Sequence, residues 1–166
     1  IIFLESSLDF YLHELTKYGM CKMLEGKWEK TEKYKHFVIP MAQVETLVIS
    51  MNDPNDWFWN HLNQVYGKSV MLSPDEIKDH LNLIGISFDM VICKAFPCDD
   101  DNVRDKHKYS LDKGKKFLGA LFGRRNEIAH QMDRSHDDAQ HKDISKDYVI
   151  EEICQVKTIV EAIHSI

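Results

Sequence analysis

The chain has 166 residues, of which 43% are hydrophobic and 29% charged, and its formal net charge is −6. Such a composition is globular rather than disordered, and a chain of this length can bury roughly two-thirds of the surface it exposes when unfolded. The acidic balance argues against a general nucleic-acid coat, because phosphate binding is chiefly electrostatic, and no apolar run approaches the roughly 18–20 residues that cross a bilayer.

One domain spanning residues 1–166 is expected at this length. The opening Ile1-Ile2-Phe3-Leu4 meets Glu5 at once and is too short for a signal peptide. A start at Ile1 rather than methionine is expected of a trimmed chain or of part of a longer protein. From there the periodicity is helical. Leu4, Leu8, Tyr11 or Leu12, Leu15, Tyr18 or Gly19, and the apolar positions from Cys21 to Leu24 recur every three or four residues, which predicts a first helix of about six turns. Gly26 suits its C′ position. Lys27 to Lys35 reads as either a loop or a short exposed helix. Pro40 fits the first turn of a second helix through Met51. Asn52-Asp53-Pro54 is a turn whose aspartate caps a helix through Tyr66, closed by Gly67.

Ser73-Pro74-Asp75-Glu76 places serine at N-cap, proline at N1 and glutamate at N3, so a helix is expected to about Ile84, stopped by Gly85. The apolar stretch from Ile86 to Phe96 is broken by Pro97, and residues 97–107 read as a polar loop. Its triplet Asp99-Asp100-Asp101 lacks the glycine and spaced carboxylates of a calcium loop and is read as a solvated loop or helix cap. A helix from about Ser110 runs through Phe117, Leu118, Leu121 and Phe122 towards His130. A second polar loop spans Asp133 to Asp143; its His136 and His141 lack regular ligand spacing, so no metal site is expected. The last helix carries Tyr148, Ile150, Ile153, Val156, Ile159, Val160 and Ile163 on an amphipathic pattern. No strand period or internal repeat competes, and an all-α antiparallel helical bundle is the expected fold.

Cys21, Cys93, Cys98 and Cys154 form no CxxC pair, so neither a zinc knuckle nor a redox motif is expected. Cys21 and Cys154 lie among apolar residues and are read as small core side chains. Free thiols without a framework favour a reducing, cytoplasmic home. The tryptophans are expected in the core, although Trp57 and Trp59 cannot both face one narrow stripe, which leaves one to line an interface or stack on a base.

The chemistry concentrates in Arg125-Asn126-Glu127-Ile128-Ala129-His130. A permanent cation, an amide and a group that titrates near neutral pH suit metal-free cleavage of a phosphodiester. All four arginines fall between residues 104 and 134, with Lys106, Lys108, Lys113, Lys115 and Lys116 in the same region; this is either a phosphate-binding face or a solvated helix face. On an ideal helix Asn126 and His130 share a face, whereas Arg125 and His130 diverge by about 140°. Convergence needs the helix to fray near His130, or a second copy across a two-fold axis. Gly119 and Gly123 fit a packed dimer seam or a tight intramolecular crossing equally well. Asp9, His13 and Glu14 on the first helix are either a surface polar pair and neighbour or a patch supporting the motif.

The run Leu118-Gly119-Ala120-Leu121-Phe122-Gly123-Arg124-Arg125-Asn126-Glu127-Ile128-Ala129-His130-Gln131-Met132-Asp133-Arg134 resembles the signature segment of the HEPN superfamily, more narrowly its RiboL-PSP branch. Leu8 to Leu15 and the helix from Tyr148 to Ile166 are similar to that branch too. The resemblance implies a helical bundle dimerising across the motif helices. It further implies metal-independent endoribonuclease activity without a cofactor, often within toxin–antitoxin, abortive-infection or antiviral systems, where an antitoxin or other regulatory protein is a partner. Arg125 and His130 match the catalytic pair and Asn126 the polar position beside the arginine; Arg124 and Lys116 are expected to add phosphate contacts. Two other readings stay open: a non-catalytic helical module binding RNA, a nucleotide or a protein, and a structural piece of a larger defence protein. The ribonuclease reading requires that neither Arg125 nor His130 be tied up in a private salt link.

Overall fold

The computed structural model describes residues 1–50, 53–67, 69–71, 73–131 and 144–166, without the side chains of Ser50, His130 and Gln131. The described residues form helices and no strand: α1 (Ile2–Leu24), α2 (Glu32–Lys35), α3 (Met41–Ser50), α4 (Pro54–Tyr66), α5 (Pro74–Leu83), α6 (Phe88–Ala95), α7 (Lys106–Gln131) and α8 (Lys146–His164). The chain is therefore all-α over the described residues.

Local chemistry sets most of the boundaries. Asp53 accepts from the N–H groups of Asn55 and Asp56, and Ser73 from that of Glu76. Both satisfy donors that the first helical turn leaves without partners. Gly26 takes φ 72° just past α1, a left-handed conformation that a side chain would strain. The lysine-rich stretch divides into a turn and the short α2, capped by Thr31. The eleven-residue polar loop ends earlier than expected: α7 begins at Lys106, and Asp105 accepts the N–H of Lys108 at 2.9 Å. The second polar loop, with Arg134, His136 and His141, lies outside the described residues.

Two apolar clusters hold the helices together. The larger joins Leu8 and Leu12 of α1 to Ile77 and Leu81 of α5, Val91 and Ile92 of α6, Leu118 and Leu121 of α7, and Ile159 and Ile163 of α8. The smaller joins Met20 and Met23 of α1 to Phe58 and Leu62 of α4 and to Ile84. Helix α1 runs through both, packing on α4 and α5 and on α7 and α8. Fully burying a leucine-sized side chain contributes about 1.5–3 kcal/mol, so the first helix anchors the whole arrangement. At Gly114 a Cβ would stand 2.4 Å from Ile92 Cγ2; the missing side chain lets α7 approach α6.

One core expectation needs correction and two others are narrowed. Cys154 is exposed, because α8 turns Val156, Ile159 and Ile163 inward and leaves Ile150, Ile153 and Cys154 outside. The three tryptophans are half-buried and pack against the smaller cluster, whose fully buried aromatic is Phe58, between Trp57 and Trp59. Trp57 stacks on His61 and donates to the Gln43 carbonyl at 3.0 Å, while Trp59 lies beneath the Lys17 ammonium. Gly119 and Gly123 have nothing within 4 Å of an added Cβ, so they make no tight crossing within the described part of the chain. Among the described residues, no helix is long and apolar enough to cross a membrane.

Candidate functional site

Helix α7 presents two different faces near its C-terminal end. One carries Leu118, Leu121 and Phe122 into the larger core, and Arg125 follows them, directed at α1. The other runs through Lys116, Gly119 and Gly123, all exposed, to the half-buried Asn126. Steps of three and four residues keep these positions on one line, and the next step reaches position 130. The backbone is helical through Gln131, so α7 does not fray before His130, the first of the two routes by which Arg125 and His130 were to converge. Positions 125 and 130 therefore stand about 140° apart around the helix axis. The His130 side chain itself lies outside the described residues.

The surroundings of Arg125 are well defined. Its Nε lies 3.5 Å from Glu5 Oε2 on α1, and its Nη1 donates to Asn126 Oδ1 at 3.0 Å. Glu5 is only 1% exposed, whereas a quarter of the Arg125 side chain (24%) still reaches solvent. The pair is poorly formed. Among the described residues, neither Arg125 Nε nor Glu5 Oε1 has a hydrogen-bond partner. Burial raises the Glu5 carboxyl above its usual range, the Arg125 charge pulls it down less strongly, and Asp9 adds to the rise. Arg125 thus has a counterion, and that tie counts against a fully available guanidinium.

Sequence reasoning missed Glu5. The signal was present: Glu5, Asp9, His13 and Lys17 recur every four residues and form one polar stripe along α1. Three of these side chains are buried. Asp9 accepts the Met71 N–H at 2.7 Å and lies 3.4 Å from His13 Nδ1. His13 Nε2 is 3.1 Å from Ser69 Oγ, and its ring meets His80 edge-on. Lys17 donates to Asn63 Oδ1 at 2.7 Å and pairs with Glu14. Asp9 and His13 are thus more than a surface pair. Among the described residues their link to Arg125 runs through Glu5, one turn along the helix, and Glu14 pairs with Lys17 instead.

The remaining expected phosphate ligands are spread out. Arg124 Nη1 reaches Glu127 Oε2 at 3.1 Å with 13% of its side chain exposed. Both residues act electrostatically on Tyr148 of α8, whose hydroxyl is raised chiefly by burial and also by Glu152. Lys116 is exposed, nine residues before Arg125 and on the opposite side of an ideal helix. The structure brings Arg125 together with Asn126 and Glu5, while Arg124 reaches Glu127 and Lys116 lies on the outer face. In the acidic triplet, Asp100 accepts from Asn102 and Asp101 pairs with Lys106 at 2.7 Å, contacts of an ordinary loop.

Chemically, the end of α7 offers a guanidinium and an amide in contact, with position 130 one turn beyond the amide. Compared with protein-family models, with curated proteins and with solved structures, the chain matches none of them.

Proposed function

We propose that this chain is a HEPN-type, metal-independent endoribonuclease that acts as a homodimer of antiparallel helical bundles within a toxin–antitoxin or antiviral system. The reading rests on the R-N-x-x-x-H segment of its sequence. The observation that best supports it is the outer line of α7: Lys116, Gly119, Gly123 and Asn126 lead to position 130, and both glycines face open space. Two such helices can approach closely along the glycines. A second copy then brings the Asn126 and His130 positions of both chains to one axis, supplying the acid and the base that one chain with diverging groups lacks.

RNA carries its own nucleophile. His130 takes the proton of a 2′-hydroxyl, which attacks the adjacent phosphorus; the bond to the 5′-oxygen breaks, and the second copy's imidazole protonates that oxygen. Arg125 stabilises the added negative charge on the phosphate oxygens. Asn126 orients the guanidinium, to which it is already hydrogen-bonded. Glu5 is a positioning residue that holds the other edge of Arg125.

The Arg125–Glu5 tie favours a second reading, a helical module that binds RNA or a protein without cutting. Incubating the purified chain with RNA in EDTA separates the two. The nuclease predicts cleavage that disappears in Arg125→Lys and in His130→Ala with the helical circular dichroism intact. Binding without cleavage of any RNA class supports the module instead.

A further inference from the structure

Further along the α1 polar stripe from Arg125, His13 stands between a carboxylate and a hydroxyl. Its Nδ1 lies 3.4 Å from Asp9 Oδ1 and its Nε2 lies 3.1 Å from Ser69 Oγ. Asp9 is fixed from two sides, by its place one turn before His13 and by the Met71 N–H that it accepts. A carboxylate beside Nδ1 favours the tautomer protonated there, which leaves the Nε2 lone pair facing the hydroxyl. His13 is buried while Ser69 is exposed. Both border a cavity of about 390 Å³, with Asp9, Phe10, Lys17 and Tyr66 also on its walls. That volume falls within the range of small-ligand pockets, roughly 300–1,000 Å³.

We infer that Asp9, His13 and Ser69 form a nucleophilic hydroxyl site, separate from the α7 motif, whose substrate is an ester of a small acyl group. Ser69 Oγ attacks the carbonyl carbon while its proton passes to His13 Nε2. The bond to the leaving alcohol breaks, and His13 gives that proton to the departing oxygen. Water then attacks the acyl-serine and yields a proton to His13; the bond from acyl carbon to Oγ breaks, Oγ recovers the proton, and the free acid leaves. The Ser69 proton has a second acceptor, the Tyr66 carbonyl at 2.9 Å, and only the His13-directed orientation activates the oxygen. Beside His13, the His80 imidazole is pushed down to about 4, chiefly by burial, so His80 is neutral near neutral pH.

Treating the whole chain with a fluorophosphonate probe, followed by peptide mass spectrometry and by p-nitrophenyl acetate hydrolysis, tests the inference. An adduct on Ser69 is expected in the wild type and none in Ser69→Ala, an exposed position that tolerates the change. Hydrolysis is expected to be lost in Ser69→Ala and to fall about a hundredfold in Asp9→Asn and in His13→Gln. RNA cleavage is expected to be unchanged in Ser69→Ala, so failure of one site is distinguishable from failure of the other. Absence of a Ser69 adduct on the folded wild-type chain overturns the inference, and so does equal labelling of the wild type and a folded Asp9→Asn chain.

Discussion

Removing the guanidinium of Arg125 leaves the Glu5 carboxylate buried without its cation. Breaking a buried pair from one side costs about 3–5 kcal/mol, and the imperfect geometry here puts Arg125→Ala at the lower end, about 3 kcal/mol at neutral pH. That cost should shrink as the pH falls through the raised Glu5 pKa, because a protonated Glu5 needs no counterion. The double variant Glu5→Gln/Arg125→Ala should recover most of it. Urea unfolding of the three chains checks this; equal stability of Arg125→Ala and wild type would show that the pair contributes nothing. The same argument makes Arg125→Lys the better activity variant, since it keeps a charge near Glu5 but loses the planar fork. Glu5 also shows why part of the site was hidden in the sequence. A glutamate in a first helical turn reads as a solvated charge, and only the four-residue recurrence through Asp9, His13 and Lys17 betrays a buried stripe.

Helix α7 combines a tight glycine and two loose ones, and they should respond oppositely to alanine. Gly114→Ala drives a Cβ into Ile92 and Phe96, an overpacking expected to cost about 1–3 kcal/mol. Gly119→Ala and Gly123→Ala meet open space and should each stabilise the isolated helix by about 1 kcal/mol. If two copies meet along that line, the same changes should weaken self-association in sedimentation equilibrium. Unaltered association in Gly119→Leu would remove α7 from the seam. Helix ends were the most legible elements, because a cap is a local contract between one side chain and a few N–H groups. Asp53 and Ser73 act as their spacing predicts, and Ser73→Ala should cost about 1 kcal/mol. The start of α7 at Lys106 was missed because a run of lysine and histidine hides the Asp105 cap. Period likewise could not say which side of α8 is buried: Cys154 and Val156 both sit among apolar neighbours, and only packing against α6 and α1 chooses between them.

Across the whole molecule, buried ionisable groups impose opposing pH dependences. Glu5 and Glu152 are raised above 4.5, chiefly by burial. Their protonation favours the folded state below that value, and the benefit is lost as pH rises through their folded pKa values. His80, at about 4, and the lowered His61 act in the other sense. They favour the folded state above 6.5; the His80 contribution is lost as pH falls towards about 4, and the His61 contribution as pH falls through its own lowered pKa. Glu152→Gln should therefore raise Tm near neutral pH by about 2–4 °C, the change that roughly 1 kcal/mol gives at this length. His80→Gln should flatten the acid limb of the Tm profile. A Glu152→Gln chain that melts lower at neutral pH would refute the burial argument.

The all-helical build followed from uniform three- and four-residue spacing, whereas the placement of α1 between two cores did not, since it depends on contacts far apart in sequence. In the proposed nuclease, Arg125 and His130 let the sugar hydroxyl of RNA attack its own backbone. End-group analysis of RNA incubated with the chain in EDTA tests it most directly. Fragments ending in 2′,3′-cyclic phosphate are expected from the wild type and not from His130→Ala. Fragments with 3′-hydroxyl and 5′-phosphate ends, or cyclic phosphate formed equally well by His130→Ala, would contradict it.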